Sequence, residues 1–144
     1  MRGFRNALLL FGLIFLQWFV RGLFAMFSDV AHLRLSSGSH IAIMIVAWIP
    51  DILAGLVVGA CAVAFDSPRK LHWVTALAAV LAAFALMVSA VSWKLYAELS
   101  VEQRLGVLVQ AALTVAAIYT GFAAARAVIR RRGARMSLPA APAG

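Results

Sequence analysis

Residues 41–65 read IAIMIVAWIPDILAGLVVGACAVAF, a run that carries one charge, Asp51. As a helix it would be about 37 Å long at 1.5 Å per residue, enough to cross the roughly 30 Å hydrocarbon core of a bilayer. The apolar residues do not alternate with polar ones, so the strand of a membrane barrel is not the reading. A buried helix of a soluble domain would need a polar chain around it, and this chain has none to offer. It is 65% hydrophobic and 12% charged, against about 25% charged in a soluble domain.

Working outward, three further runs have the same character, at 7–27, 73–93 and 105–128. The expectation is an all-α membrane protein, a four-transmembrane-helix bundle spanning residues 1–135 with short loops and a disordered tail at 136–144. That tail, with Pro139 and Pro142 among alanines and glycine, has too few bulky apolar residues to pack. Ser67-Pro68 predicts a helix start ahead of the third span, and Ser100 with Gln103 a capping box ahead of the fourth. The connection at 28–40, with Ser36-Ser37-Gly38-Ser39, predicts a turn or a short surface helix. The first span begins like a signal peptide behind Arg2 and Arg5, but Arg21 interrupts it and Leu23-Phe24-Ala25 makes a poor cleavage site, so the span is expected to be retained.

Lys and Arg set the orientation. Arg2, Arg5, Arg69, Lys70, Arg126, Arg130, Arg131, Arg132 and Arg135 fall on one side, against Arg34, Lys94 and Arg104 on the other. The richer side is expected in the cytoplasm, which puts both chain ends there and leaves Trp93 and Tyr96 as anchors at the outer interface. Alanine and arginine usage suits a bacterial inner membrane. The net charge of +8 flanks apolar runs and is not interleaved with aromatic platforms, so anionic headgroups, contacted by Arg130, Arg131, Arg132 and Arg135, are the expected counter-charge and nucleic acid is not.

Helices in lipid associate by close backbone approach, and small residues four apart mark where that can happen. Gly55 and Gly59 in the second span, Thr75, Ala79 and Ala83 in the third, and Ala112, Ala116, Thr120 and Ala124 in the fourth form such stripes. The second, third and fourth helices are therefore expected to make the tight part of the bundle, with the bulky first helix outside it. Cys61 is expected to be a small packing residue; one cysteine allows neither an intrachain disulfide nor a thiolate metal cluster.

Chemistry at membrane depth rests on Gln17, Arg21, Asp51, Gln110 and Thr114. A lone charge at a helix centre costs roughly 2.5 to 3.5 kcal/mol on insertion scales, so each charge needs a partner. Counting inward from the outer ends puts Arg21 about 9 Å and Asp51 about 15 Å deep, within reach of a long arginine. The expectation is an Arg21–Asp51 ion pair, with Gln17 and Gln110 filling the remaining hydrogen-bonding positions and Pro50 freeing carbonyls beside the acid. Such a pair either fixes helix register or marks an ion or ligand site.

No HExxH, GxSxG, P-loop or dinucleotide fingerprint is present, and no enzyme, cofactor or metal is expected. His32 and His40, with Asp29, are expected as solvated loop residues. Two functional classes remain: an accessory or regulatory subunit that packs on a larger membrane assembly or on itself, and a small oligomeric transporter or channel using Asp51 and Arg21.

Overall fold

A computed structural model describes the backbone of residues 1–35, 40–95 and 101–136, and the side chains of 1–27, 45–88, 101 and 105–133. Four helices account for nearly all of it: α1 (Arg2–Leu35), α2 (His40–Cys61), α3 (Lys70–Leu95) and α4 (Val101–Met136), with a 3-10 turn at Ala62–Ala64 closing α2. All four are long and apolar enough to cross a membrane. α1 and α4, of 34 and 36 residues, run about 51 and 54 Å at 1.5 Å per residue, well beyond a hydrocarbon core of roughly 30 Å.

Both long helices overrun the boundaries that hydropathy suggests. α1 continues through His32 and Arg34, which are helical and not in a loop, and α4 carries Arg130, Arg131, Arg132 and Arg135 on helical backbone. Polar residues end a hydrophobic run without ending a helix, because backbone hydrogen bonding does not depend on lipid. Ser67 Oγ accepts a hydrogen bond from the Arg69 N–H at 3.2 Å, in a turn that precedes α3, which begins at Lys70 and so two residues beyond the Pro68 start that the sequence suggests. The turn at 36–39, the Ser100 cap, the anchor Tyr96 and the tail beyond the helical Met136 lie outside the described residues, as do the side chains of Asp29, His32, His40, Trp93, Gln103 and Arg135.

Around the bundle the order is α1, α2, α4, α3. The most extensive contact is α2 on α4, followed by α1 on α2 and then α3 on α4. α1 is thus packed more closely than its bulk predicts, and the tight part is α1, α2 and α4. The half of the bundle toward the α2–α3 connection is solid, with Val58, Ala62, Phe65, Val74, Leu77, Ile118 and Phe122 buried together. Phe65 stacks on Trp73 at 5.6 Å between ring centroids. Outward, α1 presents Phe4, Leu8, Phe11, Phe15, Phe19 and Phe27, a surface suited to acyl chains.

The α2–α4 contact is made by backbone. A Cβ on Gly59 would collide with the carbonyl of Ile118, and one on Gly121 with the carbonyl of Leu56; at Gly55 it would come within 2.9 Å of the Ala117 Cβ. Gly55 and Gly59 therefore pack as their spacing predicts, but the α4 stripe is a different one. Ala112, Ala116 and Thr120 face outward, Thr120 donating to its own Ala116 carbonyl at 2.8 Å, and the packed face holds Ala111, Thr114, Ala117, Ile118 and Gly121. On α3 the same shift applies: Thr75, Ala79 and Ala83 are outward, while Val74, Leu77, Ala78 and Leu81 are buried. On α4 the face is set by Gly121, whose backbone meets that of Leu56; on α3 the larger Val74, Leu77 and Leu81 fill the core. Cys61 is exposed and does not pack in the core.

Gly59→Leu and Gly121→Leu should each overpack the α2–α4 contact by about 1–3 kcal/mol or more and sharply reduce the folded yield in mild detergent. Ala116→Leu and Gly12→Ala, which meet open space, should leave yield and melting temperature unchanged.

Candidate functional site

Asp51, Gly55 and Gly59 recur every fourth residue, so the face that brings α2 against α4 also delivers the carboxylate to it. α2 and α4 run parallel, with Asp51 beside Gln110 and Gly59 beside Ile118. α1 approaches from the other flank. Arg21 Nε donates to Asp51 Oδ1 at 2.7 Å, and Gln110 Nε2 donates a short hydrogen bond to Asp51 Oδ2. Thr114 Oγ1 in turn donates to the Gln110 carbonyl at 2.9 Å. Both carboxylate oxygens are thus engaged, from two different helices.

Asp51 is 7% exposed, whereas the Arg21 side chain remains about half-exposed. The pair lies at the edge of a cavity of about 90 Å³, room for several waters. Gln17, Arg21, Asp51, Gln110 and Thr114 all line it, so the structure brings the five candidate residues together. α3 supplies the apolar wall through Leu81 and Phe84, and Trp18 meets Phe84 edge-on with ring centroids 4.8 Å apart.

Gln17 is the exception to the expected network. It is 5% exposed, and its Oε1 has no protein hydrogen-bond partner among the described residues. An orphaned buried acceptor costs about 1–3 kcal/mol, so the cavity is suited to a donor, whether water or a small polar ligand.

A second polar cluster, not anticipated from the sequence, closes the opposite end of α1. Asn6 is 2% exposed, and its Oδ1 accepts from the Asp66 backbone N–H at 3.2 Å. The Asp66 carboxylate pairs with Arg5 at 3.0 Å and lies 4.0 Å from Arg2. Lys70 Nζ donates to the Val63 carbonyl at 2.8 Å, tying the α2 terminus to the start of α3. Thr75 and Tyr119 share a hydrogen bond of 2.7 Å between α3 and α4. The signal for Asn6 was its position: an amide four residues after Arg2 and next to Arg5, at the mouth of an apolar run, has to find a partner.

In a double-mutant cycle, Arg21→Ala and Asp51→Ala should couple by about 0.5–3 kcal/mol in detergent stability, the double variant being less destabilised than the sum. Additive losses would break the pairing. No protein-family model matches this chain, and comparison with curated proteins and with solved structures likewise returns no match.

Proposed function

We propose that this chain is a small non-enzymatic multi-spanning membrane protein that acts by association, as an accessory or regulatory subunit packed against a larger membrane assembly or a second copy of itself. The observation that supports it is the state of Asp51. Arg21 and Gln110 occupy both of its oxygens, so the acid works as a clasp between helices, and a carrier would need it to change partners. Arg21 and Asp51 are also the only charged side chains among described residues 6–65, so no relay of charges leads onward from the cavity. The long aromatic face of α1 offers a surface for a neighbouring helix as well as for lipid.

The proposed setting is a bacterial inner membrane with both chain ends in the cytoplasm, on the strength of the basic flanks. Isolation from native membranes in mild detergent should yield a stoichiometric partner or a homo-oligomer, read by native mass. Recovery of a lone monomer would overturn association as the role.

One observation favours a second reading, a small transporter or channel: the orphaned Gln17 Oε1 borders the same cavity as the ion pair. That reading requires ion or solute flux in liposomes that Asp51→Asn abolishes while the fold survives. Flux unaffected by Asp51→Asn would remove the cavity from any transport path.

A further inference from the structure

We propose that a second cavity, of about 430 Å³ between the α2–α3 connection and the last turns of α4, binds the phosphate-bearing headgroup of an anionic phospholipid. Its volume lies within the roughly 300–1,000 Å³ of ordinary ligand sites. Arg69, Lys70, Arg126 and Arg130 all line it, and no carboxylate does. Asp66, the one acid at this end among the described residues, is turned to Arg5 and Arg2 on the α1 side. The four cations therefore have no acidic partner among the described residues.

The arrangement is built to hold such a charge. Lys70 is held in place by its bond to the Val63 carbonyl and keeps two further N–H donors. Arg126 and Arg130 are four apart on one face of α4, where like charges repel, and an anion between them removes that cost. Guanidinium forks match phosphate oxygens two at a time. The lipid, as distinct from a soluble phosphate, is indicated by Leu71 and Ile129. Both line the same cavity and both are more than half exposed, so an apolar flank adjoins the basic rim as acyl chains adjoin a headgroup.

The test is native mass spectrometry and thermal melting of the full chain with phosphatidylglycerol, phosphatidylcholine or inorganic phosphate added. One phosphatidylglycerol should be retained per protomer and should raise the melting temperature, with phosphatidylcholine and phosphate ineffective. Arg126→Gln/Arg130→Gln should weaken phosphatidylglycerol retention about tenfold or more, whereas removing the same charge outside the cavity, in Arg131→Gln/Arg132→Gln, should keep most of it. Should the first variant fail to fold, Arg69→Gln on the exposed connection gives the same readout. Equal losses in both double variants would mean diffuse surface attraction and overturn the site. Stabilisation by inorganic phosphate alone would reassign it to a soluble anion, and retention of phosphatidylcholine as well would reduce it to an apolar lipid contact.

Discussion

A carboxylate buried among apolar helices must be compensated from its immediate surroundings, and one half of this bundle is organised around that requirement at Asp51. No single neighbour meets it. Arg21 supplies the charge and Gln110 the second donor, so α1 and α4 are both drawn to the same turn of α2. Gln110 can reach only because Gly55, Gly59 and Gly121 let the backbones of α2 and α4 touch. Electrostatics and close packing are here one constraint, since a Cβ at Gly59 would push the amide away from the acid.

How much of this could be read from residues alone depends on what kind of signal marked each one. The Arg21–Asp51 pair was legible because isolated charges at depth are costly and Arg21 was the one base within reach. The number of helices followed from hydropathy for the same energetic reason. The packing face of α4 was not legible from small residues, because Ala112-Ala116-Thr120 and Ala117-Gly121 are both plausible stripes. The amide would have decided between them: a threonine such as Thr120 can bond its own helix, but Gln110 needs a partner on another helix, and Thr114, Ala117 and Gly121 share its face. On α3 the polar Thr75 lies outward and bonds Tyr119, so it did not mark the packed face, and the buried row of Val74, Leu77 and Leu81 emerged only with the neighbouring surfaces in place.

The two ends of the bundle differ in how their charges balance. At the Asp51 end the described side chains match one acid with one base, and Trp18 and Phe84 help line a small cavity in which Gln17 Oε1 has no partner among the described residues. At the other end one acid among the described residues, Asp66, faces several cations, and those it does not pair with line a larger space. Neutral polar bonds, Asn6 to Asp66 and Thr75 to Tyr119, hold the helices there so that the surplus positive charge need not.

The clasp on Asp51 also has a timetable. Arg21 and Asp51 are both present once α2 has been synthesised, whereas Gln110 lies 59 residues further along the chain. An α1–α2 hairpin therefore already holds both members of the ion pair, joined at the far end by Asn6 and the Asp66 backbone. The second carboxylate oxygen stays unserved until the ribosome has delivered α4. Closure of the bundle thus waits on α4, and α1 with α2 alone would leave one oxygen of Asp51 without the donor that Gln110 supplies.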